Sequence, residues 1–194
     1  MGECRTDIAD IPPDAVWLDH NDTTELAVKA AGQVRDAGFN PDLGVILGRG
    51  GLEPGNIMAR CLDIPAKNIF QAVLSRYRRG TTEATNRFVT GQFPPWWRVI
   101  GRKVLLVDDV WHEGHTLVEA KRRLRRRGAR AVLTAVLHYK PEQNQTNEQP
   151  DFWAEETERW IVYPWEHHDE LLRSQLAAGD AARARQVPEL EATA

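Results

Sequence analysis

The chain has 194 residues, 42% hydrophobic and 27% charged, which is enough for one domain with a core and too apolar for wholesale disorder. Fourteen Gly and eleven Pro exclude collagen-like and low-complexity classes, and no run of about 18 apolar residues offers a membrane span. A net charge of −3 excludes the whole protein as an electrostatic nucleic-acid binder.

Residues 1–13 are acidic and lack the basic-then-apolar order of a signal peptide. Cys4 and Cys61 make neither a disulfide framework nor a zinc site, so a reduced, cytoplasmic setting is expected. Asp22-Thr23-Thr24-Glu25 has capping-box spacing and predicts a helix carrying Leu26, Ala30, Val34 and Ala37, ending near Gly38. Leu43 to Leu47 predicts a buried strand, 48–51 a loop, Leu52 to Leu62 a second helix with Cys61 in the core, and Ile69 to Leu74 a second strand.

From Arg76 to Pro95 the chain is polar and poor in core residues, which predicts a structureless lid. Phe93-Pro94-Pro95-Trp96-Trp97 predicts its packed end, and most of the seven Trp are expected in the core or at its cap. Val104 to Val107 predicts a strand, His115 to Arg127 a helix ending at Gly128, and Ala131 to Leu137 another strand. Glu142 to Pro150 is a polar connector, Trp160 to Tyr163 a last short strand, and the tail after Glu166 Ala-rich and charged. The basic run from Lys121 to Arg130 predicts the solvated end of a helix, favoured by the helix dipole. His112, His115, His167 and His168 are expected in solvent rather than on a transition metal. Strands alternating with helices predict an α/β domain with a largely parallel sheet, whose ligands bind beyond the C-terminal strand ends.

The strongest constellation is Val104-Leu105-Leu106-Val107-Asp108-Asp109, continued by Val110-Trp111-His112-Glu113-Gly114-His115-Thr116. Four apolar residues drive a strand inward and two adjacent carboxylates follow at its edge. Like charges so close need cations or hydroxyl donors nearby. The turn then opens a helix, whose first N–H groups suit a phosphate. Acids for sugar hydroxyls or Mg2+ beside a phosphate cradle describe a site for a phosphorylated sugar. The plainer alternative is a strand-to-helix turn capped by acids.

This segment resembles the signature of type I phosphoribosyltransferases. Gly44-Val45-Ile46-Leu47-Gly48-Arg49-Gly50-Gly51-Leu52-Glu53-Pro54-Gly55 resembles the pyrophosphate loop of bacterial xanthine-guanine (6-oxopurine) phosphoribosyltransferases. Lys140-Pro141 is similar to their base-recognising lysine, and Trp160-Ile161-Val162-Tyr163-Pro164-Trp165-Glu166 to their purine-stacking segment. The four matches occur in family order over roughly residues 20 to 170. The resemblance implies a parallel sheet flanked by helices, with a small hood at about 151–166 and a mobile loop at about 76–95 that includes Arg76 and Tyr77. It implies a domain over 21–170, an N-terminal extension over 1–20 and a helical or frayed tail over 171–194.

The same resemblance implies the roles. Asp108 and Asp109 hold the ribose of phosphoribosyl pyrophosphate (PRPP) and touch Mg2+, with Glu166 as a further metal contact. Val110 begins the PRPP-binding turn; the amides of Trp111, His112, Glu113, Gly114, His115 and Thr116, with the Thr116 hydroxyl, take the 5′-phosphate. Arg49 and Gly50 take the pyrophosphate, often across a cis peptide in this family. Lys140 reads the purine oxygen, Trp160 stacks on the base, and the Ile161 backbone reads its edge. The implied reaction is Mg2+-dependent transfer of phosphoribosyl to a purine-like base by a homodimer.

Three positions depart from the pattern. His112 stands where the family has an Asp that handles the purine N7 proton, and an imidazole titrating near 6.5 suits that work. Glu113 replaces a Thr or Ser facing the phosphate, and Arg76 replaces a small hydroxyl residue. Two alternatives stand beside the purine reading. One is the same chemistry on a 7-deazapurine or other modified purine; the other is a non-catalytic regulator that senses PRPP. Lys140 and Trp160 weigh against the regulator, which needs no base pocket.

Overall fold

The structure is a computed structural model that describes residues 11–77 and 84–166, with the backbone alone at 75–77, 84–87, 89 and 90. Cys4 and the rest of residues 1–10, the 78–83 part of the expected lid, His167, His168 and the 171–194 tail lie outside the described residues. The elements are β1 (Val16–Trp17), α1 (His20–Asp36), β2 (Leu43–Leu47), α2 (Leu52–Cys61), β3 (Ile69–Ala72), β4 (Leu74–Tyr77) and β5 (Ala84–Thr90). They continue with α3 (Trp96–Val99), β6 (Lys103–Trp111), α4 (His115–Arg126), β7 (Ala131–Tyr139), β8 (Phe152–Glu156) and β9 (Ile161–Val162).

Five strands form one parallel sheet in the order β3-β2-β6-β7-β8. Parallel strands need covered faces, and β2 and β6 supply near-continuous apolar runs for that purpose. On β6, Leu105 and Val107 pack with Ala27, Ala30, Ala31 and Val34 of α1 and Met58 of α2. Val104 and Leu106 pack on the other face with Leu117, Ala120 and Leu124 of α4. Each fully buried Leu or Val contributes about 1.5–3 kcal/mol, so this layered arrangement dominates the stability. The expected fold class, an α/β phosphoribosyltransferase-like parallel sheet flanked by helices, is the one observed.

Several local expectations are corrected. The α1 N-cap is Asp19, and Asp22 closes the capping box, so the cap lies three residues before the expected one. Asp19 wins because its carboxylate accepts from both Asn21 and Asp22 N–H groups, at 2.7 and 2.9 Å. The strand expected over Ile69 to Leu74 breaks at Val73, whose backbone turns to pair with Gln92 and Gly91. Beyond it, the expected structureless stretch contains an antiparallel hairpin, β4 with β5. Arg76 and Tyr77 lie in its first strand. The β-branched residues of Ala84–Thr90 favour strand, and Phe88 packs on the core.

The tryptophans are also redistributed. Trp111 alone among the described Trp side chains is a fully buried core residue, whereas Trp17, Trp96, Trp97 and Trp160 are exposed. Trp96 and Trp97 are therefore not the packed end of the hairpin; Phe93 takes that place, covered by the Arg127 guanidinium at 4.6 Å. Lys121 departs from the solvated basic run. It is buried and pairs with Asp151 at 3.0 Å and Glu148 at 3.5 Å, because Asp151 also fixes the Thr134 N–H and hydroxyl beneath α4.

Two short strands complete the domain. β1 runs parallel to β9, with the Val16 N–H on the Trp160 carbonyl at 2.8 Å and the Leu18 N–H on the Val162 carbonyl at 3.1 Å. β8 is an edge strand held from outside: the Gln33 amide bonds the Trp153 carbonyl and N–H at 2.8 and 3.2 Å.

Candidate active site

The chemistry-bearing residues gather at the C-terminal ends of β2, β6 and β7 and at the turn after β9. β6 continues past Val107 to Trp111, so Asp108 and Asp109 lie within the strand rather than in a loop. Pairing with β7 keeps that extension straight, with Asp108 opposite Val136, Val110 opposite His138 and Trp111 opposite Tyr139. The first carboxylate accepts from the Asp109 N–H at 3.1 Å, and the second from the Val110 N–H at 2.7 Å.

Burial, then the Asp109 charge, hold the Asp108 carboxyl well above the ordinary carboxylate range. Burial lifts Asp109 to about 6; the Val110 N–H works against this and the Glu166 charge adds to it. Three acids thus crowd a poorly solvated place. Such a place favours protons, a hard cation or sugar hydroxyls.

The loop 48–51 after β2 lies directly against this pair. A Cβ at Gly50 would collide with the Asp109 carboxylate, so glycine lets the loop approach while that carboxylate keeps its place. The Arg49–Gly50 peptide is trans, as are all described peptide bonds, the form a non-proline bond favours by about 3 kcal/mol. Arg49 is exposed beside it.

After β6 the chain turns at His112 and Glu113 and enters α4 through Gly114 in the left-handed region at φ 82°. A Cβ here would strike the Trp111 indole and come within 2.9 Å of the Thr146 hydroxyl. Gly114 offers no side-chain cap, so no side chain of the N-cap competes for the first N–H groups of α4. His112 is exposed, Glu113 half-buried, and His115 and Thr116 half-buried in the first helical turn.

Beyond the end of β7, Lys140 is buried, its ammonium donating to the Arg159 carbonyl at 2.8 Å. Burial lowers its pKa, against the opposing charge of Glu158. Trp160 is 42% exposed, and Ile161 is buried in β9. The Tyr163 N–H donates to Glu166 at 3.0 Å, which turns that carboxylate back toward the acidic pair.

Residues without a motif complete the centre. The Tyr163 hydroxyl donates to the Asp109 carbonyl at 3.3 Å, and its oxygen meets His138 Nδ1 at 2.9 Å. The carbonyl can only accept, so the tyrosyl proton goes there and His138 Nδ1–H donates to the hydroxyl. Burial, then Lys140, hold the His138 pKa down to about 4. Burial and then Asp109 hold Tyr163 well above its ordinary value. Tyr163 also stacks on Trp165, with ring centres 4.7 Å apart. Nothing in the residue spacing pointed to His138; it becomes visible only when β7 and the turn after β9 meet.

The family model for the phosphoribosyl transferase domain matches residues 18–170. The chain belongs to that family. Among solved structures, this phosphoribosyltransferase-family chain is similar to a purine phosphoribosyltransferase from Pyrococcus horikoshii, at 29% identity and TM-score 0.65, over 79% of this chain and 94% of that one. It is also similar in fold to a hypothetical protein from Neisseria gonorrhoeae with bound ppGpp, at 24% identity and TM-score 0.67, over 83% and 97%. A xanthine-guanine-hypoxanthine phosphoribosyltransferase from Helicobacter pylori shares the fold at 17% identity and TM-score 0.68, over 82% and 99%. No curated protein matches the chain. No helix among the described residues is long and apolar enough to cross a membrane.

Proposed function

We propose that this member of the phosphoribosyltransferase family moves the 5-phosphoribosyl group of PRPP to a ring nitrogen of a purine-like base and releases pyrophosphate. The observation that carries the reading is the meeting of three things at the strand ends. The Asp108–Asp109 pair lies against the Gly50 loop and runs directly into the Gly114 turn that opens α4. The 29%-identical Pyrococcus horikoshii purine phosphoribosyltransferase supports the purine as acceptor class.

The roles follow from position. The carboxylates of Asp108 and Asp109 hold the ribose hydroxyls and face the positive charge that develops as the C1′ bond to pyrophosphate breaks. The backbone from Val110 to Thr116 and the Thr116 hydroxyl hold the 5′-phosphate. Arg49 and Gly50 hold the leaving pyrophosphate. Lys140 donates to the base oxygen, Trp160 stacks on the ring, and the Ile161 backbone reads its edge. His112 moves the acceptor's proton. Little covalent work falls to the protein, so catalysis is positioning and charge.

The donor set fits Mg2+: Asp108, Asp109 and Glu166 are hard oxygen donors, and burial, with the Glu166 charge added, raises the Asp109 pKa. Among the described residues no cluster of three His, Cys, Asp or Glu side chains forms a ready-made metal site. One or two of these carboxylates together with substrate oxygens would hold the ion, the usual way magnesium binds. When bound, Mg2+ neutralises the leaving pyrophosphate. A homodimer and a cytoplasmic setting belong to the same proposal.

The test is pyrophosphate release from PRPP and Mg2+ with hypoxanthine, guanine, xanthine and 7-carboxy-7-deazaguanine, the nucleotide product identified by mass. Release with an oxopurine is expected; no release with any base overturns the enzyme reading, and PRPP binding without turnover favours the sensor. One observation favours a modified purine: His112 replaces the acid that would handle an N7 proton, and a 7-deazapurine has no N7. Preference for the deazapurine over all three oxopurines decides for that reading.

A further inference from the structure

The polar connector that follows Lys140 is wrapped around the turn that opens α4. Asn144 sits at its centre. Its side-chain oxygen accepts from the indole N–H of fully buried Trp111 at 3.2 Å, the Thr146 N–H at 3.1 Å and the Thr146 hydroxyl at 2.8 Å. Its amide N–H groups donate to the Tyr139 hydroxyl at 3.2 Å and the Glu148 carbonyl at 2.8 Å. One side chain thus uses both ends of its amide to tie the connector to the residue immediately before the turn.

The flanking residues reach the turn itself. The Gln143 side-chain amide pairs with His112 Nε2. The Gln145 side-chain amide meets His115 Nε2 at 3.3 Å, while the Gln145 N–H donates to the Glu113 carbonyl at 3.2 Å. Thr146 closes the contact by packing where a Cβ at residue 114 would stand. Every residue from 143 to 146 therefore touches residues 111–115. A connector that only bridged β7 and β8 would not need this.

We propose that Gln143 and Gln145, anchored by Asn144, are positioning residues that hold the His112 and His115 imidazoles over the turn. The inference rests on the transfer reaction proposed above, in which His112 handles the acceptor's proton. An imidazole on an exposed turn otherwise samples several rotamers, and fixing one side chain costs entropy that a preformed partner removes from the reaction step. A glutamine suits this because its amide offers an acceptor to a ring N–H and a donor to a bare ring nitrogen. The Gln143 oxygen faces His112 Nε2, so the ring carries its proton there and leaves Nδ1 bare for the acceptor's proton.

The experiment compares Gln143→Ala, Gln143→Glu and wild type. Steady-state rates are measured with PRPP, Mg2+ and the base that wild type uses fastest, and the imidazole nitrogen resonances are read by NMR without substrate. Gln143 is exposed, so the melting temperature should not change. Expected for Gln143→Ala is a fall in kcat of about tenfold, part of the hundredfold or more that a positioned acid–base group contributes, with the PRPP KM unchanged. Gln143→Glu keeps an acceptor for the ring N–H and should retain most of kcat. The His112 resonances should move in the alanine variant and much less in the glutamate variant.

Unchanged His112 resonances in Gln143→Ala overturn the brace whatever the activity. Moved resonances with wild-type kcat, or a glutamate variant as slow as the alanine one, overturn the positioning role. Wild-type protein that releases no pyrophosphate with any base instead overturns the transfer reaction, and the NMR result alone then reports on the brace.

Discussion

Two strand-to-helix turns flank the acidic pair, and they are held in opposite ways. The β2–α2 loop is shaped by what it lacks: at Gly50 there is no room for a Cβ beside the Asp109 carboxylate. The β6–α4 turn is shaped by what surrounds it: a left-handed glycine against a buried indole, braced from outside by residues 143–146. In the first, the neighbour that must yield to a Cβ at Gly50 is the tip of the Asp109 side chain. In the second it is a rigid ring in the core. A similar substitution should therefore damage activity in one turn and stability in the other.

Gly50→Ala gives the largest expected effect on activity. The Asp109 carboxylate gives way, the fold survives, and kcat/KM for PRPP falls about a hundredfold, the scale on which misplaced groups act. A full loss of melting temperature instead of activity would break the contrast. Gly114→Ala should do the reverse. The left-handed backbone at φ 82° and the clash with Trp111 together cost about 2–3 kcal/mol in denaturant unfolding.

A subtler effect comes from Asp109, whose pKa rises from 3.8 to about 6 on folding, chiefly through burial. Between those values the folded chain binds more protons than the unfolded one, so stability falls as pH rises through the window. Asp109→Asn keeps an oxygen for the Val110 N–H and removes the charge. In metal-free buffer at mildly alkaline pH it should melt higher than wild type while losing activity. Added Mg2+ and PRPP should raise the melting temperature of wild type more than that of the variant. Equal melting of the two proteins across the pH range would show that burial does not penalise the Asp109 charge in the folded state.

The smallest effect is expected at Tyr163→Phe. It leaves the stack on Trp165 intact but unpairs His138 Nδ1 and the Asp109 carbonyl, costing about 1–2 kcal/mol in thermal unfolding. A shift in PRPP KM with no change in stability would place that hydroxyl among the substrate contacts instead.

The parallel sheet was legible because its central strands are short apolar runs followed by turns and amphipathic helices, a local pattern. The acidic pair, the Arg49-Gly50 loop, Lys140 and the Trp160 segment were legible for a related reason: each is a compact string at a strand end. The start of α1 was misplaced because two overlapping acids, Asp19 and Asp22, both offer a cap, and the geometry uses both. Lys121 looked like one more cation in a basic run. Only the fold brings Asp151 and Thr134 under it.

By itself, the order of apolar runs, glycines and acids determined that this chain folds as an α/β layer around a largely parallel sheet, because hydrophobic periodicity and turn chemistry act over neighbouring residues; the phosphoribosyltransferase likeness rests instead on the resemblance of its motif strings. Tertiary structure alone decided what touches the site from afar: the Tyr163 hydroxyl on the Asp109 carbonyl with His138 behind it, Gln33 on the edge strand, and the 143–146 brace on His112 and His115. Those are single polar contacts made by side chains to groups up to 120 positions away. A lone Gln, Asn or Tyr has no period and no local partner, so its meaning appears only when the chain has closed around it.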